Sequence, residues 1–419
     1  MSLGVYRDQF HVEFIADASA AFESGQAAAR KLVASLGEVP VRLLFAFCNG
    51  GVDEAAFLAG VRSITGETVP VVGGSTIGVI TNHNLDYEHP ACALAACVLG
   101  DTEIHLASAD GVHENEFAAG KTLGEKLSAE AGDAGAMLLL YDSLKTTATA
   151  TTPPVIVGSP ALLSGLEQGM GGTVPTIGAG LISGFAMSER TQIFTGDQSS
   201  QGKVLGLLFN SERLQFDTAI THGCTPLDGV YHTVTRSEGP CLFEVDGRPV
   251  TEVIDEMYGD EEWRAEVPVR RLTIGVNHGE KFGDLEEHNF VNRLIAGVLP
   301  EDRGVGLFEP DLAEGTEFLF MVRDPLQMIR SAREKSRELV QLVEDQGRRV
   351  LFALYINCAG RASVLSCSPT EEAAEVMAVM NDYDIPLLGL YTGVEIAPLL
   401  GRARGLDWTG VLWLVSAPQ

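Results

Sequence analysis

Three short segments of this chain share one pattern, an apolar strand that opens on a proline and closes on a glycine. They are Val69-Pro70-Val71-Val72-Gly73, Val174-Pro175-Thr176-Ile177-Gly178 and Ile385-Pro386-Leu387-Leu388-Gly389. Each follows an apolar strand (Leu43 to Phe47, Met137 to Tyr141, Leu351 to Ile356) and an intervening helical stretch. A strand–helix–strand unit with a glycine-rich exit therefore occurs three times. Proline is tolerated at the first residue of a strand, where no ladder donor is needed. Glycine at the far end lets the backbone turn sharply or approach another group closely. The carboxyl edge of such parallel units is where α/β sheets hold ligands. Any one unit also reads as ordinary βαβ punctuation, but three in one chain favour a shared ancestral unit or a shared architecture.

A length of 419 residues calls for two or three domains, and 45% hydrophobic residues suffice for substantial cores. Acidic residues outnumber basic ones by 57 to 29, leaving a net charge of −28 with no basic run to interrupt it. Such a surface repels phosphate backbones and anionic lipid heads, so neither nucleic acid nor a membrane surface is an expected partner. The seven cysteines are scattered without a CxxC pair, which speaks for free thiols in a reducing compartment. The N-terminus shows no charged-then-apolar leader. The longest apolar run, Ala91 to Leu99, is too short to span a bilayer. The expectation is a soluble, cytoplasmic protein.

The predicted fold class is α/β, mixed α+β in the middle, with two domains built around the repeated units. The first domain covers 1–216. The second covers 217–419, with a strand-rich part at 217–324 and a long helix plus the last α/β unit at 325–419. A helix is expected at Ala18 to Leu36, stopped by Gly37 and Pro40. Asp53 is the expected N-cap of the next helix. Lys145 to Thr152, five of whose eight residues are threonine, reads as a long mobile loop closed by Pro153-Pro154. Strands at Gln192 to Thr195 and Lys203 to Asn210 read as a hairpin around Gly196-Asp197. The helix from Pro325 to Gln346 carries a mixed-sign, solvated face.

The common catalytic signatures GxSxG, HExxH, GxxxxGK[ST] and the EF-hand loop are missing. Gly178-Ala179-Gly180 lacks the third glycine of a dinucleotide fingerprint. His278 and His288 flank Glu280, Asp284, Glu286 and Glu287, a set that either binds a metal or is an ordinary acidic loop. The remaining polar residues of note stand at the ends of the units. In the last unit they are Asn357, Cys358, Arg361, Tyr391, Thr392 and Glu395. Arg361 can hold a carboxylate through two parallel hydrogen bonds and Glu395 an ammonium group, a set that suits a zwitterion of amino-acid size. The alternative is an internal Arg361–Glu395 ion pair with no ligand. Cys358, beside Arg361, is either a thiol of lowered pKa or a structural one. In the first unit Asn49, Ser75 and Thr76 hold the matching edge, as a second, neutral site or as loop hydrogen bonding.

With these residues in place, the chain resembles the FIST family of bacterial sensory domains, which has an N and a C part. The N part corresponds to about residues 25 to 215, through Leu43 to Phe47 and Val71-Val72-Gly73-Gly74-Ser75-Thr76-Ile77-Gly78. The C part corresponds to about 220 to 410. Glu244-Val245-Asp246-Gly247-Arg248-Pro249 resembles the family's hxxDGxPA opening, and Asn357-Cys358-Ala359-Gly360-Arg361 its SCAGR turn. Pro386 to Thr392 with Glu395-Ile396-Ala397-Pro398 resembles its PLxGFYTxGEIAP close. Two positions depart from the pattern: Asn357 replaces a serine, and Gly393-Val394-Glu395 separates glycine from glutamate by one residue. The resemblance implies a stand-alone cytoplasmic sensor of signal transduction that binds an amino-acid-like or small carboxylate ligand. It would pass its signal to a separate protein such as a histidine kinase or cyclase, with no cofactor. A haem-binding nitric oxide sensor is the first alternative, with His222 and His232 as axial candidates by position. An enzyme using Cys358 is the second.

Overall fold

Each Pro…Gly segment leads into a strand that begins just after the proline and runs three residues past the glycine, so the glycine is mid-strand rather than its end. Each of these strands lies parallel to the one that precedes its helix. The computed structural model describes residues 9–419 except 38, 40, 101, 197 and 369. The first unit runs β1 (Gln9–Ile15), α1 (Ala21–Leu36), β2 (Leu43–Asn49), α2 (Glu54–Thr65) and β3 (Val71–Thr76). A hairpin of β4 (Gly78–Thr81) and β5 (Leu85–Asp86) follows, then β6 (Cys92–Val98). The second unit repeats this with β7 (Glu103–Asp110), α3 (Glu116–Leu127) and β8 (Ala134–Asp142). A two-stranded ribbon, β9 (Leu144–Thr146) and β10 (Val155–Ile156), leads to α4 (Ser159–Met170) and β11 (Thr176–Leu181). Its hairpin is β12 (Ile193–Gly196) and β13 (Gln198–Ser200), and its return strand is β14 (Lys203–Asn210).

The third unit opens with β15 (Gln215–Thr221) and is then interrupted by an insert. The insert comprises β16 (Cys224–Glu238), β17 (Cys241–Val245), β18 (Arg248–Pro249), α5 (Val250–Tyr258) and β19 (Leu272–Asn277). It continues through β20 (Phe290–Arg293), β21 (Ile295–Val298), β22 (Val305–Leu307) and β23 (Glu317–Arg323). The unit resumes with α6 (Pro325–Asp345), β24 (Arg348–Cys358), α7 (Ser363–Ser366), α8 (Ala373–Asp382) and β25 (Leu387–Thr392). A hairpin of β26 (Val394–Leu399) and β27 (Arg402–Leu406) and the final strand β28 (Gly410–Pro418) complete it.

Strand order then shows a cyclic exchange. The three six-stranded sheets read β1-β6-β2-β3-β12-β13, β7-β14-β8-β11-β26-β27 and β15-β28-β24-β25-β4-β5. Each unit contributes four strands to its own sheet and sends its hairpin to a neighbour's. The registers agree across the three copies: Gly73, Gly178 and Gly389 face Ala46, Leu139 and Tyr355 on the parallel side, and Phe194, Ile396 and Ile80 on the antiparallel side. The repeat is thus a pseudo-threefold arrangement within one chain.

The burial pattern explains why the central strands are apolar on both faces. Their inner faces meet in one shared core that includes Phe45, Leu138, Leu140, Phe352 and Trp413. Phe10 stacks on Phe352 at 4.6 Å between ring centroids. The outer faces are covered by helix pairs: α1 and α2 over Leu44 and Ala46, α3 and α4 over Met137 and Leu139, α6 and α8 over Ala353 and Tyr355. The caps match the sequence. Asp53 accepts the amide of Ala56, and Asp324 those of Leu326 and Gln327 ahead of Pro325. The insert forms its own eight-stranded sheet over a separate core that contains Trp263, Ile254 and Phe320. Among the described residues no helix is long and apolar enough to cross a membrane.

Two local expectations are corrected. The expected hairpin of 192–195 with 203–210 does not form: β12 pairs with β13 and β3, whereas β14 lies between β8 and β7 in another sheet. The exchanged hairpin and the return strand are consecutive in sequence but serve different units. Asp197 of that turn, like Pro40 after the first helix, lies outside the described residues. The threonine-rich segment is not a free loop either. It is held in the β9–β10 ribbon and by the Ala148 amide, which donates to Met187 O at 2.8 Å.

Candidate functional site

The carboxyl ends of β3, β11 and β25 each feed a link that crosses to the next sheet, so the three exits are tied to one another. Ile77 N donates to Tyr391 O at 3.0 Å and Gly393 N to Gly180 O at 3.2 Å. Ser75 N donates to Gln192 O at 2.9 Å. The hydroxyls of Thr76 and Thr392 donate to the carbonyls of Tyr391 and Gly180. These contacts use the expected second site for structure. Asn49 Nδ2 donates to His89 O and its Oδ1 accepts from Ala91 N, both at 2.6 Å. Ser75 Oγ donates to Glu54 at 2.7 Å and accepts from Gln192 N at 2.9 Å. Thus Ser75 and Thr76 tie their exit to its neighbours, and Asn49 holds the segment that leads into β6.

In the last unit Arg361 is fully buried and committed to the protein. It donates to Glu372 Oε1 at 2.9 Å, His222 O at 3.0 Å, Trp408 O at 3.1 Å and Thr221 Oγ1 at 3.4 Å. Glu372 also accepts from Tyr355 at 2.7 Å and Asn357 at 3.0 Å. The expected clamp on a ligand carboxylate is therefore corrected, and so is the expected internal partner: the counter-ion is Glu372, not Glu395. Tyr391 donates to Glu371 at 2.9 Å. Linear spacing could not separate Glu371 from Glu372, which stand side by side before α8.

Glu395 is also fully buried, and neither carboxylate oxygen has a hydrogen-bond partner. Burial, reinforced by Asp407, raises its carboxyl well above the usual range. Burial and then Glu395 push the Cys358 thiol up as well, which opposes the thiolate that a cysteine nucleophile needs.

Cys358 and Thr392 do reach a cavity, and it is one that motifs did not announce. A chamber of about 670 Å³ opens between the three exits and the insert. Ile77 contributes from the first exit, Phe185 and Met187 from the second, Thr392 and Gly393 from the third. The ribbon adds Val155 and Ile156, and the insert adds Leu294, Ala296, Leu307 and Phe308, with Trp408 on the floor. Trp408 is held by the Arg323 guanidinium, 3.4 Å from its ring centroid. Among the described residues no lysine, arginine or histidine lines the chamber; Glu116 and Cys358 are the ionisable residues there.

The two histidines expected as axial haem ligands, His222 and His232, are engaged elsewhere. His222 accepts the Cys224 amide on Nδ1 and meets Glu287 O through Nε2 at 3.1 Å. His232 binds Asp246 and packs on Phe318 and Phe320 in the insert core. Neither faces the chamber. Among the described residues no group of three or more His, Cys, Asp or Glu is placed to hold a metal ion, the His278–His288 loop included.

Behind the chamber wall lies a cluster of buried acids. Glu309 accepts from Ser159 N at 2.9 Å and Ser159 Oγ at 2.7 Å. Burial pushes its carboxyl up to about 8, against the pull of Arg293. Burial likewise pushes Asp407 up to about 6. An acid whose pKa is higher folded than unfolded takes up a proton on folding. Its contribution is complete below the unfolded value and is lost as pH rises through the folded one. Stability is therefore expected to fall between about pH 5 and pH 8, by up to about 1.4 kcal/mol per pH unit for each such proton. Urea midpoints across that range check this, and Glu309→Gln should flatten the slope. Midpoints that rise steadily over the range would contradict the assignment.

Comparison with known proteins adds the family. An uncharacterized protein, MJ1623, of Methanocaldococcus jannaschii is 25% identical over 197 residues, 43% of this chain and 36% of that protein. The chain thus spans about a third of that relative's length. A cyanuric acid hydrolase from A. caulinodans aligns over 99% of this chain and 100% of its own at 12% identity and a TM-score of 0.38. A chorismatase aligns over 98% and 100% at 10% identity and a TM-score of 0.34. Similarity this low carries no argument about activity. Family models match nearly end to end: the FIST N domain at residues 42–248 and the FIST C domain at 251–398. Their boundary falls inside the insert, between β18 and α5, so the two family segments do not coincide with the three structural units. The chain belongs to the FIST family, whose domains are sensors of signal transduction.

Proposed function

We propose that this chain is a receptor for an uncharged, largely apolar small molecule held in the chamber between the three exits and the insert. The observation that carries this reading is the chamber itself, about 670 Å³ and walled by all three units and the insert. That volume lies within the range of small-molecule sites. Its lining offers no cation for a ligand carboxylate, and Arg361, expected to supply one, is bound to Glu372. An amino-acid zwitterion would leave its carboxylate unpaired there, at a cost that burial makes large. An occupant would touch the insert and the exits together, so filling the chamber would bias how they sit against each other. A separate signalling protein would read that difference.

Thermal unfolding against a panel of neutral aromatic and aliphatic compounds, with amino acids in parallel, tests the proposal. A neutral ligand at about one hundred times its Kd should add about 2.7 kcal/mol. Ala296→Trp, which puts a large side chain into the chamber, should reduce that gain while retaining a cooperative transition. Stabilisation by amino acids alone, or an unchanged response in Ala296→Trp, would overturn the reading.

A further inference from the structure

A second cleft, of about 320 Å³, lies on the other side of the segment that carries Phe308 and Pro310 into the chamber. It is bounded by α4, by β27 of the exchanged hairpin and by β19 and β20 of the insert, and three arginines line it. Two have acids of their own. Arg293 is gripped by both oxygens of Asp311, and Arg402 meets Glu167 at 2.6 Å. Arg404 has no ion pair among the described residues, and its Nε is buried without a hydrogen-bond partner. That is unusual in a chain where acids outnumber bases 57 to 29. Burial and then Arg402 lower the Arg404 pKa, opposed by Asp311 and Glu167, and burial with Arg404 and Arg293 pushes His278 down to about 4, opposed by Asp311. Arg404 thus lines the cleft beside Arg293 and Arg402, whose charges Asp311 and Glu167 already offset, and an anion in the cleft would give it the partner it lacks.

We propose that this cleft binds a compact oxyanion, a carboxylate or a phosphate, with Arg404 as its counter-ion. Arginine suits that role because its planar fork of donors matches both groups. The anion would bridge β27, which belongs to the third unit but sits in the second unit's sheet, to the insert. The site is separate from the chamber and does not depend on it.

The test uses the full chain with inorganic phosphate and succinate as probes, each against sodium chloride of matched ionic strength. Calorimetry should show saturable binding of at least one probe, weakened about tenfold or more by Arg404→Gln. NMR titration of His278 gives a second readout: the bound probe should raise its pKa, and Arg404→Gln should raise it without any probe. Binding of phosphate alone or succinate alone would support the site and identify its chemistry. No binding of either beyond the chloride control, or equal binding to wild type and Arg404→Gln, would overturn it.

Discussion

Replacing Arg361 with methionine is expected to destabilise the protein by about 3–5 kcal/mol, the range for breaking a buried ion pair on one side. The guanidinium is fully buried and joins Glu372 to the carbonyls of His222 and Trp408. Without it, Glu372 keeps its bonds to Tyr355 and Asn357 but loses the charge that offsets its own. The double substitution Arg361→Met with Glu372→Met should recover much of the loss, because no charge is then stranded. Urea unfolding of the four proteins in a double-mutant cycle measures this directly. A single variant within about 1 kcal/mol of wild type, the scale of an exposed pair, would refute it. The result also bears on function. Loss of ligand binding in an Arg361 variant would report a damaged fold, so the chamber is better probed at Ala296.

Gly73→Ala should be as damaging, and for a reason that the three units share. A Cβ at Gly73 would sit 1.9 Å from Ala46 O, at Gly178 2.2 Å from Leu139 O, and at Gly389 2.9 Å from Tyr355 O. In each case the obstacle is the backbone of the parallel partner strand, which cannot swing aside. Gly73 also has φ of +141°, a conformation that side chains disfavour. Backbone strain of about 1–3 kcal/mol adds there to an overlap of about 1–3 kcal/mol or more. The expected order of destabilisation is Gly73→Ala, then Gly178→Ala, then Gly389→Ala. Chemical denaturation of the three variants checks it, and a Gly73→Ala protein as stable as wild type would remove this account of the repeated glycine.

The repeat was therefore legible, but its glycine, expected at the strand end, sits mid-strand against the backbone of the parallel partner. Proline at the strand start and glycine at the close contact are local requirements, visible in five residues. The parallel pairing of β24 with β25, which brings Asn357 opposite Tyr391 and Cys358 opposite Thr392, follows from the strand–helix–strand order. The partner of each charge was not legible. Arg361 and Glu395 stand in two separate family motifs that meet on one sheet edge, yet the guanidinium is bound to Glu372. Glu395 is a fully buried acid, and nothing in its flanking residues marks it as such. The hairpin exchange was hidden for a related reason. β14 follows β13 closely, and a strand's edge preference is set by what already occupies the edge rather than by its own side chains.

The chain alone determined the order of strands and helices, their caps and the glycine contacts, because periodicity, capping and steric fit act over a few residues. Only the tertiary structure decided that three sheets would trade hairpins around a shared core, that Arg361 would be sealed against Glu372, and that scattered apolar residues from Ile77 to Trp408 would enclose a chamber. Apolar burial is non-directional. Which surfaces meet, and where a gap remains between them, depends on the whole set of packed elements at once.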